Sequence, residues 1–158
     1  MTVNHSRHVP GRRACLGGLA AILAGIGLSA HAALGGMEAT VQTDQQQMSA
    51  TQRVLRPGPY VVHEMQAPSG TVVREYVSPE GTVYGVAWQG PTMPDLRQLL
   101  GPYFERYVDA VAQRKARGPV VIEQPGLVVH SGGHMRAFVG RAYIPEALPE
   151  GVTADSVK

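Results

Sequence analysis

The chain has 158 residues, of which 44% are apolar, and a formal net charge of +2. Three arginines in the first 13 positions produce the positive excess; without them the 14 basic residues fall to 11, against 12 acidic ones. This balance excludes a strongly basic nucleic-acid-binding protein. The only cysteine is Cys15, so the chain beyond the leader described next has no disulfide and depends on packing for stability.

Residues 1–32 have the organisation of a cleavable secretory signal peptide. A basic start precedes an apolar run, Ala14–Leu28, and the small residues Ala30 and Ala32 then suit signal peptidase. A helix of about 15 residues rises only about 22 Å, which is short of the roughly 30 Å hydrocarbon layer. We therefore expect cleavage between Ala32 and Ala33, export to the periplasm or medium, and no integral membrane segment afterwards.

Two questions about the leader stay open at this point. An uncleaved anchor helix is the alternative to cleavage, and Arg12-Arg13 resembles a twin-arginine signal, so either export pathway fits. Lipidation does not fit, because Cys15 lies at the start of the apolar run, whereas a lipid-bearing cysteine follows such a run.

The residues after the leader predict a single domain over 33–144. A loose glycine-rich lead-in over 33–39 is followed by a short polar helix around Val41 to Thr51, which the proline-rich stretch 56–59 ends. Runs of β-branched and aromatic residues separated by turn residues then predict three strands. These are Tyr60–Gln66, Thr71–Ser78 and Thr82–Gln89.

An apolar stripe with helical spacing predicts a long helix over 94–117. Gly101-Pro102 interrupts the stripe, so we expect a kink there or a second helix that begins at Pro102. Residues 145–158 carry little apolar content and are expected to form a flexible C-terminal tail. Three further strands are predicted at Pro119–Glu123, Leu127–Ser131 and Met135–Ile144, with a turn at Gly132-Gly133.

The order of these elements predicts an α+β fold. An antiparallel sheet of about six strands would pack against one long, Pro-kinked helix. Residues 58–62 are loosely echoed by residues 118–122, which suggests a duplicated αβββ unit.

Three side chains are weak candidates for catalysis: His63, Glu75 and His130. An imidazole near a carboxylate can act as a general acid or base, so a small periplasmic hydrolase that uses a His/carboxylate pair is one hypothesis. Neighbours in a strand point to opposite faces, so His63 and Glu64 cannot act together. Cross-strand ion pairs are the alternative use of these residues.

The pair His130 and His134 suggests a metal site, but a hairpin turn at Gly132-Gly133 would place the two rings on opposite faces of the sheet. We therefore predict no metal and no cofactor. Ser131-Gly132-Gly133 lacks the acidic residue that precedes the nucleophile of chymotrypsin-like proteases, and the chain contains no G-x-S-x-G elbow. Serine catalysis is not expected.

Tyr84 and Trp88 are candidate binding residues, because alternation places them on one face of the third predicted strand and aromatic side chains are favoured at interfaces. Burial in the core is the alternative. The leading hypothesis is a non-catalytic domain that binds an envelope protein or ligand, or serves as an envelope accessory. The third hypothesis is a structural or inhibitory protein that makes contacts through loops 79–81 and 131–133.

A long motif, REYVSPEGTVYGVAWQGP at residues 74–91, is followed by Pro94-Asp95-Leu96 and Leu99-Leu100-Gly101 and preceded by Ala33-Leu34-Gly35-Gly36. Together these stretches resemble an exported proteobacterial family, domain-of-unknown-function family 2844. The resemblance covers nearly all of the chain after the leader. It implies an exported protein of a Gram-negative bacterium and assigns no activity. Pro102 departs from the helix-compatible residue expected at its position.

Overall fold

A computed structural model describes residues 1–2, 33–115 and 117–158. The predicted signal peptide, with Ala32 at its cleavage site, lies outside the described residues apart from the first two. The described part forms one seven-stranded antiparallel sheet and three short α-helices. The strands are β1 (Thr51–Leu55), β2 (Val61–Gln66), β3 (Val72–Val77), β4 (Val83–Gly90), β5 (Val120–Gln124), β6 (Leu127–His134) and β7 (Ala137–Tyr143); the helices are α1 (Val41–Gln47), α2 (Leu96–Leu100) and α3 (Phe104–Ala112).

The sheet consists of two meanders that meet in its centre. Its strand order is β1-β2-β3-β4-β7-β6-β5, so the last strand of the first meander pairs with the last strand of the second. The predicted α+β class is therefore confirmed, but the sheet has seven strands rather than six. The additional strand, β1, begins where the polar helix was expected to end, and Val54 pairs with His63 of β2.

One long, Pro-kinked helix over 94–117 does not form; the alternative expectation, a short helix followed by a second one near Pro102, describes the structure. The Asp95 carboxylate caps α2 by accepting from the N–H of Arg97 at 2.9 Å, but α2 ends after five residues. Gly101 then has a φ of +48°, which is not helical, and a Cβ at this position would lie 2.2 Å from the Cβ of Ala33. Pro102 belongs to a short 3-10 turn that leads into α3.

Residues 33–36, expected to be a loose lead-in, are fixed between α2 and β4. The N–H of Leu34 donates to the carbonyl of Leu99 at 2.9 Å, and the N–H of Gly35 donates to the carbonyl of Val83 at 2.8 Å. Leu34 is fully buried. This segment is therefore part of the core.

Each face of the sheet has its own apolar cluster. On the face that carries the helices, here called the helix face, the larger cluster includes Leu34, Met65, Val86, Trp88, Leu99, Leu100, Leu127 and Val129. On the opposite face, here called the far face, a smaller cluster contains Val62, Tyr76, Tyr84, Ala87 and Val157. No helix in the described ranges is long and apolar enough to cross a membrane.

A bulge in β4 separates the two aromatic residues that were expected to share a face. Tyr76 pairs with Gly85 whereas Val77 pairs with Val83, so Tyr84 is an extra residue in β4. An extra residue reverses the alternation of side chains beyond it. Tyr84 therefore lies in the far-face cluster, and Trp88 lies in the helix-face core.

Residues 145–158, predicted to be a flexible tail, lie against the far face in the structure. Val157 is fully buried, and its Cγ2 would lie 2.9 Å from a Cβ at Gly85. The hydroxyl of Tyr76 donates to the carbonyl of Lys158 at 2.5 Å and accepts from its N–H at 3.0 Å. The missing side chain at Gly85 thus makes the space that this segment fills.

The turn between β6 and β7 does not lie at Gly132-Gly133. These glycines continue β6 and pair with Val139 and Phe138, and the strand ends only where His134 pairs with Ala137. The turn is formed by Met135 and Arg136, and Arg136 has a φ of +65°. A positive φ is uncommon for arginine, which is why the sequence pattern favoured the glycines.

Candidate functional site

His63 and Glu75 are the two catalytic candidates that the structure brings together. They are directly paired across β2 and β3 and lie on the helix face. His63 is nearly buried, and Glu75 is fully buried. The two side chains are therefore neighbours, and His63 borders a small open hollow of 260 Å³ together with Glu38 and Gln52.

The hydrogen bonds of His63 occupy both of its ring nitrogens. Gln52 Nε2 lies 2.8 Å from His63 Nδ1, and Glu38 Oε1 lies 2.9 Å from His63 Nε2. The amide nitrogen can only donate and an ionised carboxylate can only accept, so in this arrangement Nδ1 is the acceptor and Nε2 carries the proton. A general base needs a free lone pair facing its substrate, and that of His63 is already used.

Glu75 lies next to the carboxyl group of Asp44, a residue that the sequence analysis did not single out. Asp44 of α1 is fully buried beside it and accepts a hydrogen bond from Gln98 Nε2 at 3.0 Å. Burial raises the pKa of Glu75 well above its ordinary value, and the charge of Asp44 and a hydrogen bond with it raise that pKa further. Asp44 lies in a polar stretch of the sequence that gave no sign of burial.

His130 lies far from His63 and Glu75. It is in β6, which is separated from β3 by β4 and β7, and it projects from the far face, as does its partner across the strands, Arg141. Three strand spacings correspond to about 14 Å, in addition to the thickness of the sheet. The structure therefore assembles no common site from the three catalytic candidates.

The sequence analysis excluded a metal at His130 and His134 because the two rings were expected on opposite faces of the sheet, and this reason is wrong. Because β6 continues through both glycines, alternation places these two side chains on the same face. Four residues of strand separate them by about 13 Å, however, which is too far for a shared ion. In the described part of the chain, no group of three metal-binding side chains converges.

The far face carries a hollow of 770 Å³ beside Val62 and Tyr76, and a more apolar groove of 420 Å³, here called the far-face groove. It lies over the second meander and is lined by Gln89, Val121, His130, Val139, Arg141 and Val157, together with Trp88, Gly132 and Lys158. Val121 and Val139 are each more than half exposed. Most of the groove surface is therefore apolar and open to solvent.

Two glycines belong to the lining of this groove. A Cβ at Gly132 would meet Pro119 at an ordinary distance of 3.5 Å, so the absence of a side chain there leaves space in the groove. Gly140 is different, because a Cβ there would lie 2.2 Å from Cζ2 of Trp88. The indole of Trp88 is almost completely buried, and its Nε1 has no hydrogen-bond acceptor among the described residues.

The ionisable side chains that line the far-face groove are all basic: His130, Arg141 and Lys158. Nη1 of Arg141 donates to the carbonyl of Ala154 at 3.1 Å. His130 Nε2 lies 3.6 Å from Glu123 Oε1, beyond hydrogen-bonding distance. The groove thus combines an apolar wall with a positive end, and this combination depends on strand pairing that no local motif reveals.

Tyr84, the other predicted binding residue, does not line the far-face groove. Its ring is fully buried and contacts Tyr60 edge-on, with 6.1 Å between the ring centroids. Burial and the neighbouring tyrosines raise the pKa of its hydroxyl, which has no hydrogen-bond partner within the described ranges. Tyr84 therefore packs within the protein, whereas Trp88 touches the groove from the core.

Comparison with known proteins places the chain in one family. Residues 30–157 match the model of the family described as a protein of unknown function, DUF2844. No curated protein matches the chain, and no solved structure does. Because the match spans most of the sequence, the chain belongs to the DUF2844 family.

Proposed function

We propose that this protein is an exported, non-catalytic domain that binds a small amphiphile, with an apolar body and an anionic head, in the far-face groove. The observation that carries this proposal is the lining of the groove, where the charged groups are basic and most of the remaining surface is apolar. Its volume of 420 Å³ lies within the roughly 300–1,000 Å³ of small-molecule sites.

The recognition would divide between two ends of the groove. Val121 and Val139 offer exposed apolar surface to the body of the ligand, whose burial would drive association. Arg141 uses Nη1 for its hydrogen bonds to the described residues and for a 3.7 Å ion pair with the exposed Asp155. Its other N–H groups are left for an anionic head, which would compete with Asp155. Charge-assisted hydrogen bonds from a guanidinium to a carboxylate are among the stronger ones.

The test uses Trp88, the only tryptophan in the chain, as a fluorescent reporter. We expect dodecanoate to change the emission of Trp88 saturably. The uncharged dodecanol should bind at least about tenfold more weakly than dodecanoate. Equal binding of both would contradict an anionic head. No saturable change with either probe, together with no binding by calorimetry, would reject the groove as an amphiphile site.

Matched variants locate the site. Val139→Asp places a negative charge on the groove wall and is expected to weaken dodecanoate binding about tenfold or more. Val108→Asp changes a valine of α3 that is also exposed but does not line the groove, so binding should be retained. If both variants bind like the parent protein, dodecanoate binds elsewhere.

Export is the second part of the proposal, and it has its own experiment. We expect the protein recovered from its host to begin at Ala33 and to fractionate with the periplasm or the medium. Residues 33–36 are built into the core, which supports a mature chain that begins at this point. Native material that begins at Met1 and fractionates with the cytosol would reject export without affecting the groove.

A further inference from the structure

Residues 153–158, here called the strap, run between two hollows of the far face. One is the far-face groove, and the other is the hollow of 770 Å³, here called the second hollow. Val157 of the strap lines the groove, and Asp155 lines the second hollow. Lys158 lines both, as does Gln89 of β4. The strap is therefore the partition between the two hollows.

The strap is held by a buried side chain and by hydrogen bonds from side chains of the sheet. Within the strap, all of which the structure describes, only Val157 is buried. Nη1 of Arg141 donates to two strap carbonyls, at 3.1 Å and 3.4 Å. Nη1 of Arg74 and the hydroxyl of Tyr76 donate to the carbonyl of Lys158. A segment with so little buried surface opens more readily than the strands beneath it.

Two arginines flank the strap on the surface of the sheet. Arg74 of β3 and Arg141 of β7 are the partners of Ala87 on its two sides, so their Cα atoms lie about 10 Å apart. Strap carbonyls accept from both guanidinium groups, and the carboxylate of Asp155 lies 3.7 Å from Nη1 of Arg141. Oxygen atoms of the strap therefore stand where the oxygens of an anionic ligand group could bind.

The second hollow differs in its chemistry from the apolar far-face groove. Among the described residues that line it, two acids balance two bases: Glu64, Asp155, Arg74 and Lys158. The balance persists when the strap leaves, because the strap carries one of each. The tyrosines of the lining offer hydroxyl groups, and the carboxylate of Glu64 has lone pairs for hydroxyl donors besides its two arginines. This hollow therefore suits an uncharged polar group.

We propose that the strap is displaced by a single-chain amphiphile in which an anionic phosphodiester joins an apolar tail to an uncharged polar head. This inference rests on the function proposed for the far-face groove and names the class of its ligand. The tail would lie along Val121 and Val139. The phosphodiester would lie between Arg74 and Arg141, where charge-assisted hydrogen bonds replace those to the strap carbonyls. The head would enter the second hollow beside Glu64.

Hydrogen exchange of the full chain tests the displacement, on peptides that cover residues 152–158. The probe is dodecanoyl lysophosphatidylglycerol at concentrations where it is monomeric; its tail matches dodecanoate and its head is glycerol. Bound probe should accelerate exchange in these peptides about tenfold or more, whereas dodecanoate, which has no head, should not. Unchanged exchange with bound probe would overturn the proposal, and equal acceleration by dodecanoate would contradict the role of the head.

A weakened strap should improve binding of the probe, because the closed strap lowers the fraction of molecules that can accept it. The side chain of Val157 is fully buried, so Val157→Ser should favour opening and tighten lysophosphatidylglycerol binding about tenfold. Val108→Ser, a change of an exposed valine of α3, should leave binding as in the parent. An affinity that Val157→Ser does not raise would contradict competition between strap and ligand.

A pair of arginine variants decides the question even if Val157→Ser does not fold. Arg74 and Arg53 both form ion pairs with Glu64, but of the two only Arg74 lines the second hollow of the described structure. Arg74→Gln should weaken lysophosphatidylglycerol binding about tenfold and leave dodecanoate binding unchanged. Arg53→Gln should bind both as the parent does, and equal effects of the two variants would contradict the proposal.

The two probes also separate this inference from the function on which it rests. If neither probe binds the parent protein, the far-face groove is not an amphiphile site and both proposals fall. If dodecanoate binds but the phosphodiester probe neither binds more tightly nor moves the strap, the groove stands as proposed and the displacement of the strap is rejected.

Discussion

The indole of Trp88 lies against the backbone of Gly140, its partner across the β4–β7 pairing. A Cβ at Gly140 would fall 2.2 Å from Cζ2 and 2.5 Å from Cε2 of the ring. The ring is almost completely buried and cannot move away without displacing the core. The glycine thus permits the tryptophan to occupy the centre of the sheet.

We therefore expect Gly140→Ala to lower the free energy of unfolding by about 1–3 kcal/mol, the usual cost of overpacking. Urea unfolding followed by Trp88 fluorescence measures the change. Gly132→Ala is the matched control on the adjacent strand, because its Cβ would meet Pro119 at 3.5 Å, and it should cost less than about 0.5 kcal/mol. Equal effects of the two substitutions would contradict the close packing of Trp88 on Gly140.

The second prediction concerns two tyrosines of the far-face cluster that differ in one hydrogen bond. The hydroxyl of Tyr84 is buried without a partner among the described residues, so Tyr84→Phe should raise the free energy of unfolding by about 1 kcal/mol. The hydroxyl of Tyr76 bonds to Lys158, so Tyr76→Phe should lower it by about 1 kcal/mol. Thermal unfolding of the two variants at one pH tests both signs, and a destabilised Tyr84→Phe would mean that its hydroxyl has a partner.

Gly101 separates α2 from α3, and its substitution provides a third prediction. It combines a φ of +48° with a contact to Ala33, whereas Gly118 has a φ of +112° and open space around it. Alanine at Gly118 should cost only backbone strain of about 1–3 kcal/mol. Gly101→Ala should cost more, since the clash with Ala33 adds to this strain. Chemical unfolding measures both losses in free energy of unfolding. Equal losses for the two substitutions would mean that the clash with Ala33 does not contribute.

The acid side of the stability curve gives a fourth prediction, which depends on Glu64 of the far face. Its carboxylate accepts from Nε of Arg53 at 2.6 Å and from Nε of Arg74 at 2.7 Å. Partial burial acts to raise the pKa of Glu64, but the hydrogen bonds and charges of the two arginines outweigh this effect and lower it. The unfolded chain therefore binds this proton more readily than the folded protein does.

The contribution of Glu64 is present above its ordinary pKa and is lost as the pH falls through the lower value of the folded state. Glu64→Gln should consequently flatten the fall in stability between about pH 5 and pH 3, measured as urea midpoints. Glu150→Gln, a change at an exposed position, should leave the curve unchanged. A Glu64→Gln curve as steep as that of the parent would show that other carboxylates control acid unfolding.

Much of the sheet could be predicted because turn residues mark the strand ends. Pro68-Ser69-Gly70 and Pro79-Glu80-Gly81 place β2, β3 and β4 within one residue of their observed bounds. The errors arose where tertiary contacts override local preference. Arg136 adopts a turn conformation next to two glycines that stay in a strand.

The sites were harder to predict than the strands, because they depend on which strands become neighbours. Pairing of β4 with β7 forms the wall of the far-face groove, and no sequence pattern specified it. The bulge at Tyr84 has the same origin, since one extra residue in β4 is visible only against its partner strand. Asp44 was missed because it lies among glutamines in a polar stretch, where burial is not expected.

The joining of the two meanders at their last strands also affects the order in which the chain can assemble. β4, whose first six residues are all buried, must wait for β7, which lies roughly fifty residues further along the chain. Until β7 arrives, the most apolar strand of the protein is an uncovered edge, and such edges pair with other chains. An incomplete chain that ends before β7 is therefore expected to aggregate more readily than the complete one.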